Sequence, residues 1–318
     1  MSINKLSGTT WTNISKVDGV TASGISKVAG VSAPADYFLD TYPDPVAAYS
    51  LRQLSSTATT AITVENSSGT TADIGFDSNG DLDTSALTTH CGSNYGRVSK
   101  WWDQSGNNRH MEQSTAASRP YIVDSSGNII TTTTNSIAAH DFYFGSTARW
   151  LEDTFVTNNG DHFLLSCLAE FRTVSTAQSI FSQWTSSQST QVMQLQCLAT
   201  TSQFRIIGRY NNSSRSLGRV NTDAALSINT EYILNSYMSA SPYEGDIDFN
   251  GNTASTETGF PTTGSINNSS LLTAIGRRSD NGAAQYQGYV SELVLWSDTT
   301  LPDRDNVMTS INDKYSVF

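Results

Sequence analysis

The sequence predicts an all-β protein, an antiparallel β-sandwich that ends in a short C-terminal helix. Apolar residues make up 37% of the 318 positions and charged residues only 15%. Ser, Thr, Asn and Gly are abundant, and turn-forming residues divide the apolar positions into short runs typical of strands. Long apolar helix faces are missing, which argues against a helical protein. Sandwiches can reach this length as one domain.

Residues 1–36 form the first segment, a polar stretch that contains a repeat. ISKVDGV at 14–20 returns as ISKVAGV at 25–31. Each copy places apolar residues at near-alternating positions before a glycine, which predicts a short strand and a turn. Strands this short cannot build a core, so we expect an extended arm that attaches to a partner. The residues expected to anchor it are Trp11, Ile14, Val17, Val20, Ile25, Val28 and Val31.

Residues 37–318 form the second segment, where strand-like runs follow one another. The predicted strands are 61–64, 119–123, 163–174, 179–184, 192–199, 204–210, 231–239, 246–251, 271–277 and 289–296. Residues 83–92 predict a helix with an Asp-Thr-Ser start and a glycine stop. Residues 301–318 predict the closing helix, because Val307, Met308, Ile311 and Tyr315 share one helical face.

Charge and hydropathy restrict the partners and the location. The formal net charge of −11 argues against a nucleic acid partner. The N-terminus lacks the apolar core of a secretion signal peptide. No apolar run approaches the ~20 residues of a membrane span, so we expect no membrane insertion.

Three cysteines, Cys91, Cys167 and Cys197, are an odd number without CxxC spacing. This pattern favours buried thiols in a chain made in a reducing compartment. A disulfide between Cys167 and Cys197 is the alternative.

Two stretches resemble known families. Residues 48–54 (AYSLRQL), 73–75 (DIG) and 102–106 (WDQSG) resemble, in this order, the N-terminal part of the arabinofuranosidase B catalytic domain. Residues 288–315 resemble the last strand and closing helix of laminin-G-like, concanavalin A-type jelly rolls. The resemblance implies one concanavalin A-like jelly roll over 37–318.

The same resemblance bears on catalysis. Retaining glycosidases use two carboxyl groups about 5–5.5 Å apart. The resemblance places Met238 where the family has its nucleophilic glutamate and offers Asp280 as an acid/base candidate. A thioether cannot attack an anomeric carbon, so we expect no enzyme, with an arabinofuranosidase-like hydrolase as the alternative.

Two groups of residues are candidates for binding carbohydrate. Tyr95, Trp101, Asp103 and Gln104 combine rings that stack on sugars with hydrogen-bonding side chains. The alternative for this group is packing in the core, because alternate residues of a strand face inward. Arg277 and Asp280 form the second group, expected on a concave face.

One acidic stretch matches a calcium-loop pattern. Asp246, Asp248, Asn250 and Glu257 satisfy D-x-[DN]-x-[DN]-G-x5-E. Because the flanking residues predict strands, a β-hairpin with an Asn250-Gly251 turn is the favoured interpretation. We therefore predict no cofactor, with calcium as the alternative.

Residues 11–31 resemble an N-terminal stretch of tailed-bacteriophage structural proteins, where it often precedes a laminin-G-like domain. The resemblance implies a capsid decoration, head-fibre or tail-fibre component, assembled in the host cytoplasm and located on the virion. Other virion proteins would hold the arm, and the jelly roll would bind host surface polysaccharide. A homotrimer is expected. A free carbohydrate-binding lectin is a further alternative.

Overall fold

A computed structural model of the chain describes residues 37–155, 162–184, 193–199, 201–209, 217–221, 225–240, 243–253, 257–258, 271–298 and 300–318. It also describes six strands of two residues each within 1–36. These are β1 (Lys5–Leu6), β2 (Thr9–Thr10), β3 (Lys16–Val17), β4 (Val20–Thr21), β5 (Lys27–Val28) and β6 (Val31–Ser32). They pair in sequence as three separate antiparallel hairpins.

The remaining strands follow from residue 47 onward. In chain order they are β7 (Ala47–Ser50), β8 (Ile62–Asn66), β9 (Thr71–Ile74), β10 (Gly96–Trp101), β11 (Met111–Glu112), β12 (Tyr121–Val123), β13 (His140–Asp141), β14 (Leu151–Phe155), β15 (His162–Phe171), β16 (Gln178–Gln183), β17 (Met193–Cys197), β18 (Phe204–Arg209), β19 (Leu217–Asn221), β20 (Glu231–Ala240), β21 (Tyr243–Phe249), β22 (Asn252–Thr253), β23 (Glu257–Thr258), β24 (Leu271–Ile275) and β25 (Gly288–Ser297). Every pairing among them is antiparallel.

The strands form two layers. Sheet I has the order β21-β20-β15-β25-β7. Sheet II has the order β19-β18-β17-β16-β24-β14-β11-β10-β8-β9. The short strands β12 and β13 link β10 of sheet II to β25 of sheet I. The predicted antiparallel sandwich is therefore confirmed.

Three α-helices lie among the residues that the structure describes: α1 (Phe38–Thr41), α2 (Thr84–Cys91) and α3 (Arg304–Tyr315). Asp83 caps α2 by accepting a hydrogen bond from Ala86 N at 2.8 Å. Asp303 caps α3 in the same way, from Asn306 N at 2.9 Å. The two predicted helices are confirmed, although α3 is shorter at both ends than 301–318. Within the part of the chain that the structure describes, every helix is too short or too polar to span a bilayer.

Strand β15 shows how the layers are held together. Phe163, Leu165 and Cys167 point into the core between the sheets. Leu164 and Leu168 point the opposite way, into a second cluster under α3 with Val307, Met308 and Ile311. Successive side chains of a strand alternate between its faces. The sequence of a strand that is covered on both faces is therefore a continuous apolar run.

The three cysteines are buried free thiols. Cys167 lies on β15 of sheet I and Cys197 on β17 of sheet II. The predicted buried thiols are confirmed and the alternative disulfide is wrong. Burial raises the pKa of the Cys197 thiol to about 12, which keeps it uncharged and unreactive at neutral pH.

Candidate functional site

The outer face of sheet II carries a row of side chains that alternation directs away from the core. Glu152 lies opposite Ala274, which in turn lies opposite Ser182. Ser182 lies opposite Gln194 on the next strand. Ala274, Ser182 and Gln194 are at most 3% exposed. Something must therefore cover this part of the outer face.

The cover is the loop that follows β24. Ser182 Oγ donates to Arg277 O at 3.1 Å and accepts from Ser279 N at 2.7 Å. Ser279 Oγ in turn donates to Trp184 O at 2.8 Å. These hydrogen bonds hold the loop against the C-terminal end of β16. They thereby fix the charged side chains that the loop carries.

Arg277 is clamped between an aromatic ring and a carboxylate. Its guanidinium carbon lies 4.0 Å from the ring centre of Trp150, a cation–π contact. Its Nη2 donates to Glu152 Oε2 at 2.5 Å. Gly282 lies close by, since a Cβ there would be 3.1 Å from Arg277 Nη1. The guanidinium is therefore fixed in one position.

Arg278 and Asp280 form a second ion pair on the same loop. Arg278 Nε and Nη2 donate to the two carboxylate oxygens of Asp280 at 2.6 and 3.1 Å. The Asp280 side chain is 5% exposed. We call Trp150, Glu152, Arg277, Arg278 and Asp280 the arginine cluster.

Two polar groups of the arginine cluster are buried without a hydrogen-bond partner. They are Trp150 Nε1 and Arg277 Nε. Buried N–H groups normally find a partner, so these two donors are unsatisfied groups inside the cluster, which a ligand reaches only if the side chains around them shift. The cluster thus combines an aromatic ring, two guanidinium groups and two carboxylates, a set suited to hydrogen-bonding polar ligands.

Arg277 and Asp280 lie on the same loop but bond to different partners, Glu152 and Arg278, and the other sugar-binding candidates lie elsewhere. Trp101 is fully buried between Tyr49 and His140, with ring centres 5.7 and 4.2 Å away. No face of this ring is left for a sugar. The proposed stacking role of Trp101 is therefore wrong, and the alternative of core packing is correct.

Asp103 and Gln104 are also interior. The Asp103 carboxylate accepts hydrogen bonds from the backbone N–H of Ala48, Ser105 and Arg109 at 2.9, 2.9 and 3.0 Å. Both residues are under 10% exposed. Their hydrogen-bonding capacity is spent on their own chain, which makes them fold residues and corrects the prediction for both.

The Gln104 side chain bonds to the backbone of its own chain, whereas the Tyr95 ring packs on another aromatic ring. The Gln104 side chain accepts from Leu54 N at 2.7 Å and donates to Ser50 O and Arg52 O at 3.0 Å each. Tyr95 is half-buried and packs on Tyr121, with ring centres 5.6 Å apart. Tyr95 packs against β12, whereas Asp103 and Gln104 bond to β7, so the four predicted side chains do not form one site.

The two residues linked to catalysis do not meet. Met238 is 2% exposed and belongs to the core cluster on β20 of sheet I. Asp280 lies on the outer side of sheet II, where both of its oxygens accept hydrogen bonds from Arg278. The position that the family resemblance assigns to the nucleophile therefore supplies no carboxylate to work with Asp280.

The acidic stretch predicted as a hairpin is a hairpin. Asp248 pairs with Thr253, and Asn250 and Gly251 form the turn with φ of 47° and 73°. Asp246 and Asp248 lie 2.7 and 3.7 Å from Arg304 Nη1 on α3. An arginine thus lies where the calcium pattern would need a cation.

The other two positions of the calcium pattern have different roles. The Asn250 amide oxygen accepts from Ile233 N at 2.8 Å. Glu257 pairs with Gly245 in β23. Among the described residues, no three His, Cys, Asp or Glu side chains are grouped as metal ligands.

Three of the predicted anchoring residues lie outside the described residues: Trp11, Ile14 and Ile25. The other four are Val17, Val20, Val28 and Val31. They lie on the hairpin strands β3 to β6, where Val17 pairs with Val20 and Val28 with Val31.

An equivalent hairpin, β1 with β2, pairs Leu6 with Thr9. INKLSGT at 3–9 is thus a first copy of the repeat, eleven residues before ISKVDGV. Sequence reasoning missed it because only Ile, Lys and Gly are shared.

Trp150 and Glu152 were missed as well. A strand such as LEDTF shows that Glu152 faces away from Leu151. It does not show which distant loop the residue meets.

No family model matches the chain, and no curated protein matches its sequence. Solved structures do match. A GH54 α-L-arabinofuranosidase soaked with a cyclic sulfate inhibitor is 18% identical, with a TM-score of 0.55. A Glu-to-Gln mutant of a GH54 α-L-arabinofuranosidase, soaked with 4-nitrophenyl α-L-arabinofuranoside, is 17% identical with a TM-score of 0.56. An arabinofuranosidase complexed with arabinofuranosyl-α-1,2-xylobiose is 16% identical with a TM-score of 0.50.

Each of these matches covers 86% of this chain and 62% of the other chain. The protein therefore spans about 62% of the length of the arabinofuranosidases that it resembles. The similarity confirms the predicted jelly-roll fold. At these identities it shows the fold alone, since one fold hosts many functions.

Proposed function

We propose that the jelly roll binds carbohydrate through the arginine cluster and that residues 1–36 attach it to a larger assembly. The observation that carries the first part is the clamped Arg277, between Trp150 at 4.0 Å and Glu152 at 2.5 Å. A fixed guanidinium needs little reordering when it binds hydroxyl groups, which favours affinity.

The chemistry of the cluster and the fold both favour a sugar. Sugar recognition combines an aromatic surface with a few placed polar groups. The similar solved structures were soaked or complexed with arabinofuranosides and an inhibitor. Trp150 Nε1 and Arg277 Nε are buried donors without protein partners, so a ligand that displaces the side chains around them would satisfy them.

A glycan array tests this proposal. The full chain is expected to bind at least one immobilised glycan, arabinofuranosyl oligosaccharides included. Trp150→Ala and Glu152→Gln should each weaken that binding at least about tenfold, since each removes one side of the clamp. Trp102→Ala is the matched control, because this half-buried tryptophan stacks on His110 outside the cluster. Binding to no glycan, or equal losses in Trp102→Ala, would contradict the proposal.

We further propose that the assembly is the virion of a tailed bacteriophage, in which the protein is a capsid decoration, head-fibre or tail-fibre component. The support is the resemblance of residues 11–31, together with the three hairpins at eleven-residue spacing. Short hairpins are marginal alone and gain stability by adding to a partner's sheet edge. We expect a homotrimer, with host surface polysaccharide as its ligand.

Removing residues 1–36 tests the attachment. The truncated protein should be absent from purified particles that contain the intact protein. Incorporation at the intact level would show that the arm is not the anchor.

An arabinofuranosidase-like hydrolase is the alternative that the fold similarity favours. We propose that the protein is not such an enzyme, because Met238 is a buried core residue and Asp280 is held by Arg278. Turnover of 4-nitrophenyl α-L-arabinofuranoside that Asp280→Asn abolishes would overturn this.

A further inference from the structure

A separate cavity of about 300 Å³ lies beside the C-terminal helix. It shares no lining residue with the arginine cluster. The volume lies at the lower end of the range for small-molecule sites, about 300–1,000 Å³. Leu51, Leu82 and Ile137 form an apolar wall.

Arg52 is a preorganised donor in this cavity. Its Nε and Nη2 donate to the two carboxylate oxygens of Glu292 at 2.7 and 2.8 Å. Its guanidinium carbon lies 5.1 Å from the ring centre of Phe38 and 5.3 Å from that of Tyr315. Nη1 makes no hydrogen bond within the part of the chain that the structure describes, so it is left for a ligand.

Asp81 and Lys314 supply a second charged pair. Lys314 Nζ lies 2.5 Å from Asp81 Oδ1, and the two side chains are 33% and 49% exposed. Both line the cavity. Carboxylate oxygens accept hydrogen bonds and an ammonium donates them, so this pair offers both functions to one ligand.

Asn135 adds a neutral acceptor. Its Nδ2 donates to Glu231 Oε2 at 2.6 Å and to Ser316 O at 3.1 Å. Its backbone N donates to Glu231 Oε1 at 2.8 Å. The two side-chain bonds and the backbone bond together hold Asn135 in place, and its amide oxygen is left as an acceptor at the cavity wall.

The charges around the cavity cancel. Arg52 is balanced by Glu292 and Lys314 by Asp81. An anion would therefore find no uncompensated positive charge. A neutral ligand with several hydroxyl groups can use the donors and the acceptors together, and its C–H face can lie on the apolar wall.

We propose that this cavity binds one neutral sugar ring, with hydroxyl groups held by Arg52, Asp81, Asn135 and Lys314. The site is independent of the arginine cluster. The chain therefore has two separate carbohydrate sites, which allows one molecule to engage two points of a glycan layer.

Ligand-observed saturation-transfer NMR on the full chain tests this inference. The probes are D-glucose, D-galactose, D-mannose and L-arabinose, with D-glucuronate and inorganic phosphate as charged comparisons. At least one neutral sugar should bind saturably. Asp81→Asn should weaken it at least about tenfold by removing the charged acceptor.

Thr84→Phe is a second variant that leaves the buried residues intact. Thr84 is exposed on the first turn of α2 and lines the cavity, so a phenyl ring there should block binding. Ser85→Phe is the matched control, since Ser85 is its exposed neighbour outside the lining. Sugar binding should survive in Ser85→Phe and in Trp150→Ala.

Four results would overturn the inference: no saturable neutral sugar, binding of the charged probes alone, full binding in Asp81→Asn and Thr84→Phe, or loss of binding in Trp150→Ala. The last would place the sugar in the arginine cluster, which keeps the two proposals distinguishable.

Discussion

At the scale of single residues, the structure separates polar side chains that bond only within the fold from those of the two proposed sites. Asp103 and Gln104 spend their hydrogen bonds on buried backbone groups. Arg277 and Arg52 are also fixed by carboxylates, yet each keeps a nitrogen without a protein partner. Residue type alone does not distinguish these cases, because the partners that a polar side chain meets depend on the fold around it.

His140 gives a residue-scale prediction about pH. Burial lowers the pKa of this imidazole from 6.5 to about 3, so it is neutral in the folded protein. The unfolded chain takes up a proton below pH 6.5 and the folded chain does not. Stability is therefore complete above pH 6.5 and is lost as the pH falls toward 3.

We expect His140 to account for about 3 kcal/mol of the unfolding free energy lost between pH 7 and pH 4.5. Urea unfolding at both pH values measures the loss. In His140→Phe the loss should be smaller by that amount, while the contributions of other groups remain. An equal loss in both proteins would contradict the assigned role.

At the scale of elements, boundaries follow local signals. Asp83 and Asp303 set the first residues of α2 and α3 by capping the N-terminus of each helix. Asn250 and Gly251 close the β21–β22 hairpin because both adopt positive φ. Each signal acts within a few positions, which is why the sequence predicted these elements.

Gly251 gives an element-scale prediction. Its φ is +73°, and a Cβ there would lie 2.9 Å from Cε2 of Phe318. Gly69 has a similar φ of +80° with nothing within 4 Å of its Cβ position. Gly69→Ala thus reports backbone strain alone, about 1 kcal/mol.

Gly251→Ala should cost up to about 0.5 kcal/mol more than Gly69→Ala, because it also displaces the ring of Phe318, a terminal residue that is 52% exposed. Chemical unfolding of both variants measures the difference. Adding Phe318→Ala to Gly251→Ala should remove the extra cost. Equal costs for the two glycine variants would show that Phe318 yields freely.

At the scale of the whole molecule, the protein is a sandwich with a helix on one side. β15 is covered on both faces, by the core and by α3. The loop after β24 and the ends of α2 and α3 bring distant residues together at the two proposed sites. The described clusters draw on residues from Phe38 to Ile311.

Deletion of residues 1–36 gives the prediction at this scale. The truncated chain should unfold cooperatively with a free energy within about 0.5 kcal/mol of the intact protein, since distant parts contribute additively. Urea unfolding followed by tryptophan fluorescence measures it. A loss of several kcal/mol would show that the arm belongs to the domain, and would remove the particle test as evidence for attachment.

Local patterns were enough to predict the antiparallel sandwich, the helices near 83–92 and 301–318, the Asn250-Gly251 hairpin and the buried thiols. Alternation, caps and turns depend on neighbours along the chain, so they can be recognised without a structure. The positions of Trp101 in the core, of Arg304 beside Asp246 and of Arg277 against Trp150 became known from the three-dimensional contacts. Those contacts depend on strand pairing between distant segments, which no local pattern specifies.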